Sequence, residues 1–194
     1  MPRRLTADAH RGLLTSHALD GKRNWQIEYG AEWEGNQPGT RCCPAVDDGR
    51  VFILSGHGLL VCCDVTNGDV IWQKDVAKES GGETPACGFA ESLLLDGGNV
   101  ICTPGGEDAA LVALNKKTGD VVWTTKGFSE QSAYCSPILV ERGGLRLVVT
   151  LTVQSLVGVD ASNGMVVWKT PFDETEKLQN HSVSPVYSDG LIYA

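Results

Sequence analysis

The chain has 194 residues, 42% of them hydrophobic and 21% charged, with a formal net charge of −8. This length suits a single domain with a buried core, and the composition is that of a folded globular protein. The acidic balance, with no cluster of Lys and Arg, excludes a phosphate-neutralising surface and with it a nucleic-acid partner.

Residues 1–30 form a lead-in whose most basic piece is "PRR". It lacks the apolar stretch of about 7–15 residues that a secretory signal needs. No run approaches the roughly 18 apolar residues of a membrane span, and "LRLVVTLTVQSLVGV" is broken by Arg146, Thr150, Thr152, Gln154 and Ser155. Either the chain is cytoplasmic or its targeting segment lies outside this sequence.

The lead-in ends in "HALDGKRNW", a weak copy of a motif that then recurs. "CDVTNGDVIW" ends at Trp72, "LNKKTGDVVW" at Trp123 and "VDASNGMVVW" at Trp168, each of the form [D/N]-x-x-[T/N]-G-x-x-x-W. Counting from Trp25, the tryptophans are 47, 51 and 45 residues apart, a period that suits a propeller blade. Each motif reads as a hairpin. Gly68, Gly119 and Gly164 supply positive φ, and Asp64, Asn115 and Asp160 accept hydrogen bonds from the turn backbone. The strand after each turn is β-branched and ends in the tryptophan. Upstream stand "CCPAVDDGRVFIL", "GFAESLLLDGGNVICT", "CSPILVERGGLRLVVT" and "VSPVYSDGLIYA", strand pairs joined at Gly-containing turns.

These signals predict an all-β chain of four-stranded antiparallel blades within residues 31–194, an incomplete β-propeller. Full blades fall at about 41–73, 84–125 and 133–170, and a truncated one at 182–194. The tryptophans are expected to pack between neighbouring blades. A closed propeller of six to eight such units needs on the order of 300–400 residues, so the chain reads as an N-terminal half.

Seven cysteines cannot all pair within the chain, and neither they nor His10, His17, His57 and His181 show zinc-ligand spacing. Cys62-Cys63 reads as strand packing, with Cys62 where other units have Ala113 and Gly158. Cys42-Cys43 opens the first full blade, where other units show Glu91-Ser92, Ser136-Pro137 and Ser184-Pro185. They are read as small residues at a tight strand start. "SGHGLL" around His57 lacks a dinucleotide-site setting, and Asn180-His181-Ser182 fits a glycosylation sequon. No nucleophilic triad or paired carboxylates can be picked out by spacing.

"VALNKKTGDVVW" and its partners resemble the tryptophan-docking repeats of the pyrroloquinoline-quinone (PQQ) type propeller family, over about residues 40–194. "RGLLTSHALDGKRNWQ" is similar to the lead-in of bacterial members. The family includes quinoprotein alcohol dehydrogenases and non-enzymatic members such as the lipoprotein propeller of the outer-membrane barrel-assembly machinery. The resemblance implies an exported protein, periplasmic or extracellular.

It also supplies a second reading of two places. In the dehydrogenases a disulfide between adjacent cysteines sits over PQQ, and Cys42-Cys43 falls at a matching position. A glutamate in a Gly-rich loop there ligates calcium, and Glu107 in "CTPGGEDAALVALN" matches loosely, although the Gly-x-Arg-Gly of the enzymes is absent. The competing reading makes Glu107 and Asp108 a solvated hairpin tip. Two functions follow. The expected one is a non-catalytic binding or scaffold module of the cell envelope, which takes other proteins at its loop face, or a second copy of itself if the chain is complete. The alternative is a PQQ- and calcium-dependent alcohol dehydrogenase whose remaining ligands and base lie in later blades.

Overall fold

The computed structural model describes residues 11–172 and 181–194. Asn180 of the sequon lies outside the described residues. The chain begins with a hairpin of β1 (Arg11–His17) and β2 (Arg23–Ala31). Three four-stranded antiparallel sheets follow, each in simple sequence order. The first contains β3 (Ala45–Asp47), β4 (Arg50–Leu54), β5 (Leu59–Asp64) and β6 (Val70–Asp75). The second contains β7 (Leu94–Asp96), β8 (Asn99–Cys102), β9 (Val112–Asn115) and β10 (Val121–Thr124). The third contains β11 (Ile138–Arg142), β12 (Leu145–Leu151), β13 (Ser155–Asp160) and β14 (Val166–Pro171). A second hairpin, β15 (Val186–Ser188) and β16 (Leu191–Tyr193), closes the described chain.

The first strands of the three sheets lie side by side, β3 next to β7 and β7 next to β11. Sheets that share their inner edge in this way are consecutive blades around one axis. The one departure from β structure among the described residues is a single helical turn, α1 (Val76–Ser80). Its start is set by the Asp75 side chain, which accepts the Lys78 N–H at 3.0 Å, and its end by Gly81 at φ +66°.

The core lies between sheets, not inside any one of them. On β8, Val100 and Cys102 face the first sheet while Ile101 faces the third, and on β9, Val112 and Leu114 oppose Ala113 in the same way. This is the period-two alternation of a strand with both faces covered, and it explains the unbroken apolar runs in the sequence. Cys62 and Cys63 are both fully buried on β5.

The tryptophans lock one blade to the next. Trp25, Trp72 and Trp123 each donate Nε1–H at 3.0 Å to a carbonyl oxygen of the following sheet, on Val65, Lys116 and Ala161 respectively. In each case the acceptor follows the turn residue Asp64, Asn115 or Asp160. Those residues accept the N–H groups of Thr66, Lys117 and Ser162 at 2.8 Å, which holds each acceptor in place. Gly68, Gly119 and Gly164 have φ between +76° and +79°, and a Cβ on any of them would enter the docked indole. Trp168 packs against Gly158 of its own sheet, and it shares the buried cluster of Val140, Leu147 and Val149 with Tyr187 and Ile192 of the last hairpin. The weak motif ending at Trp25 thus makes the same contact as its stronger copies. Ion pairs Lys116–Asp47 and Arg146–Asp96 also bridge successive sheets.

Candidate functional site

The segments before β3, β7 and β11 meet the loop after β8 at one end of the blades, because each first strand runs antiparallel to the second. Two bonds fix this end in the second sheet. Thr103, just after β8, donates its N–H and its hydroxyl to the Glu91 carboxyl at 2.8 and 2.7 Å. Cys42, Cys43, Glu91 and the loop bearing Glu107 all belong to this end.

A ladder of hydrogen bonds runs from blade to blade across it. Cys43 N–H donates to Ser92 Oγ at 3.1 Å, Ser92 N–H to Ser136 Oγ at 2.8 Å, and Ser136 N–H to Ser184 Oγ at 2.9 Å. Cys43, Ser92, Ser136 and Ser184 are therefore equivalent positions. For the two Ser-Pro units this is one residue off the alignment that pairs Cys42-Cys43 with Ser136-Pro137 and Ser184-Pro185. The shift follows from the bonds themselves, since the serine hydroxyl, not the proline, receives the neighbouring amide.

One residue back, Cys42, Glu91 and Cys135 are all buried. The Cys42 thiol points at the Phe89 carbonyl oxygen, 3.7 Å away, while Cys43 is exposed. Both thiols are free. Burial pushes Cys42 up to about 12, and the neighbouring Glu91 charge adds to this while Arg41 opposes it. Burial likewise raises Glu91 to about 7 against the two bonds from Thr103. The Glu91 charge also acts on Cys102 and Cys135, whose thiols are raised chiefly by burial.

Glu107 and Asp108 form an exposed tip between β8 and β9. Asp108 has φ +53° and accepts the Gly127 N–H at 2.5 Å. Glu107 instead lines a cleft of about 280 Å³ with Lys74, Glu79 and Ser80 of the preceding blade. Among the described residues, no three His, Cys, Asp or Glu side chains are placed to hold a metal ion. His57 bonds to the Glu32 carbonyl oxygen at 3.2 Å, a loop contact.

Arg41, Cys87, Tyr134 and Glu91 belong to no motif that would mark them as site residues in the sequence. Gln37, Arg41, Cys87, Ala90, Tyr134 and Ser182 line a cavity of about 440 Å³ at this end. The only signal was position, since Arg41 directly precedes the Cys42-Cys43 opening and Glu91 is itself part of the next one. No helix among the described residues is long and apolar enough to cross a membrane.

Comparison with known proteins adds the family. Among curated relatives, a quinoprotein alcohol dehydrogenase, PedH, of Pseudomonas putida is 29% identical over 173 residues, covering 86% of this chain and 27% of the relative. A quinoprotein ethanol dehydrogenase of Pseudomonas aeruginosa is 26% identical over 162 residues, 77% of this chain and 25% of the relative. The chain thus spans about a quarter of the length of these relatives. Among solved structures, BamB from Moraxella catarrhalis superimposes with a TM-score of 0.60 at 16% identity, over 95% of this chain and 50% of that one. The quinohemoprotein alcohol dehydrogenase of Comamonas testosteroni gives 0.59 at 17% identity, over 84% and 33%. The fold is a β-propeller of four-stranded blades, of which the chain carries a part. A family model described as outer membrane protein assembly factor BamB matches residues 10–194, and the chain belongs to that PQQ-like propeller repeat family.

Proposed function

We propose that the chain is a non-catalytic binding or scaffold module of the cell envelope, which holds other proteins at the loop-bearing end of its blades. The observation that carries this reading is the placement of Cys42 and Cys43. One thiol is turned into the core against Phe89 and the other faces solvent, so the pair does not present a common surface to a cofactor. The repeat residues Asp64, Gly68, Trp72, Asn115, Gly119, Trp123, Asp160, Gly164 and Trp168 act as scaffold, setting turns and docking blades. The family description, which names an outer-membrane assembly factor, supports an envelope location.

The second reading is a segment of a PQQ- and calcium-dependent alcohol dehydrogenase, favoured by the curated relatives, both quinoproteins. In that case Cys42-Cys43 would lie over the quinone as a disulfide and Glu107 would reach the metal together with residues outside this chain. Two measurements on the full-length gene product separate the readings. The scaffold reading expects seven free thiols from this segment in denaturant and no dye reduction by ethanol with PQQ and calcium chloride added. Alcohol-dependent dye reduction that requires both additions would overturn it. Five free thiols, with a peptide map joining Cys42 to Cys43, would favour the dehydrogenase.

A further inference from the structure

The first and last hairpins are the two halves of one blade. In each complete sheet the tryptophan of the fourth strand faces a small residue of the third: Cys62 opposite Trp72, Ala113 opposite Trp123, and Gly158 opposite Trp168. In the first hairpin Ser16 stands opposite Trp25, with the same register shift just after it that follows Cys62 and Gly158. β1 and β2 are therefore a third and a fourth strand. The last hairpin has the opposite identity. It follows Ser184, the last rung of the serine ladder, and its turn pairs Ser188 with Leu191 as Asp47 pairs with Arg50 and Asp96 with Asn99. β15 and β16 are therefore a first and a second strand. Among the described residues each hairpin is a separate two-stranded sheet, so β1 and β16 each have an unpaired edge.

The faces of the last hairpin show what belongs beside it. Tyr187 and Ile192 join the buried cluster of the third sheet. Val186, Leu191 and Tyr193 alternate to the other face and are 59%, 59% and 57% exposed. Two residues beyond its turn pair, Tyr193 holds the position of Phe52 and Ile101. Those two are 0% and 0% exposed, because the following sheet covers them. The first hairpin is one-sided in the same way, with Leu14 buried against the first sheet and Leu13 exposed on the face turned from it. A two-stranded sheet with one apolar face bare is only marginally stable by itself.

We infer that two copies of this chain join head to tail, with β16 of one pairing antiparallel to β1 of the other, so that β15–β16 and β1–β2 form a shared four-stranded blade. In the complete sheets Phe52 faces Cys62 and Ile101 faces Ala113, and that register sets Tyr193 of one copy opposite Ser16 of the other. Tyr193 then lies beside Trp25, as the Phe52 ring lies 6.0 Å from that of Trp72. Three complete sheets and one shared blade give four blades per copy and eight for two copies, within the four to eight of known propellers. The superposition on BamB agrees in length, since 95% of this chain covers 50% of that one. Two identical head-to-tail junctions then close a ring. The junction does not rest on the scaffold reading, because it needs only the blade edges.

The full-length gene product tests this by sedimentation equilibrium and by cross-linking in a mixture of isotope-labelled and unlabelled copies. The expected mass is twice that of one chain. A benzoylphenylalanine placed at position 193 is expected to cross-link to β1–β2, in peptide pairs that join labelled to unlabelled copies. Tyr193→Asp sets a charge inside the shared blade and should weaken dimerisation on the order of tenfold or more, with the far-ultraviolet circular dichroism of the sheets retained. Four results would overturn the inference. One is a single-chain mass at every concentration, whether the edges stay open or later residues of the gene product cover them. The others are a mass above two copies, a dimer unchanged by Tyr193→Asp, and cross-links from position 193 that fall outside β1–β2 or within one copy. The wild-type mass needs no variant, so the inference stays testable if Tyr193→Asp does not fold.

Discussion

Trp72 occupies the space that a side chain on Gly119 would need, and donates its Nε1–H to Lys116 O at 3.0 Å, three residues before that glycine. A Cβ on Gly119 would stand 2.9 Å from two atoms of the indole. The glycine therefore answers two demands at once, a left-handed turn at φ +76° and room for the neighbouring blade's tryptophan. The same pairing joins Trp25 to Gly68 and Trp123 to Gly164.

Comparing two glycines separates those demands. Gly143 has φ +58° with nothing near a Cβ, so Gly143→Ala should cost about 1 kcal/mol, the backbone strain alone. Gly119→Ala should cost that plus roughly 1–3 kcal/mol for overpacking against Trp72. Urea unfolding of both variants checks this. Equal losses would show that the close approach to Trp72 carries no energy.

The serine ladder predicts a local effect. Ser136→Ala removes the acceptor of the Ser92 N–H, and should cost about 1 kcal/mol and speed hydrogen exchange at the Ser92 amide. Unchanged protection at Ser92 would mean that the bond does not persist in solution.

Glu91 predicts a pH dependence. Its carboxyl is raised from an ordinary 4.5 to about 7 by burial. Between those values the native state holds a proton that the unfolded chain has lost, so this contribution to stability falls as pH rises from about 4.5 to 7. Glu91→Gln, neutral throughout, should lose that slope. Well above pH 7 it should be more stable than wild type by about 3 kcal/mol. Urea titrations at pH 5 and pH 8 test this, and a wild type at least as stable relative to Glu91→Gln at pH 8 as at pH 5 would reverse the sign.

Thiol reactivity predicts which of the adjacent cysteines meets solvent. Cys43 is exposed and Cys42 is buried with its pKa pushed up to about 12, so at pH 8 Cys43 should react with a thiol reagent well before Cys42. Cys43→Ser should remove that fast phase. A Cys42 that reacts as quickly as Cys43 would place both thiols on one surface.

The scaffold was legible in the sequence because its parts are local. A turn glycine, an Asp or Asn four residues before it, and a β-branched strand after it fix one hairpin within about ten residues. Repetition of that hairpin near a 47-residue interval then implies blades that must cover one another, since no single sheet can bury two apolar faces. Val70, Ile71, Val121 and Val122 are a limit of that reading. They mark the outer strands correctly, yet they are exposed, because a bulge just before each tryptophan interrupts the alternation.

The candidate site was not legible, because it is assembled across blades. Cys42 beside Phe89, Cys43 beside Ser92, and Arg41 on one cavity with Cys87 and Tyr134 join residues more than 40 positions apart. No short pattern encodes such pairs. The sequence by itself determined the repeat, the turn chemistry and the tryptophan that each blade offers to the next, since these follow from backbone conformation and side-chain size within one hairpin. Only the tertiary structure decided that adjacent cysteines part company and that a glutamate is buried among thiols, because burial and desolvation are set by what neighbouring blades bring to the same end of the fold.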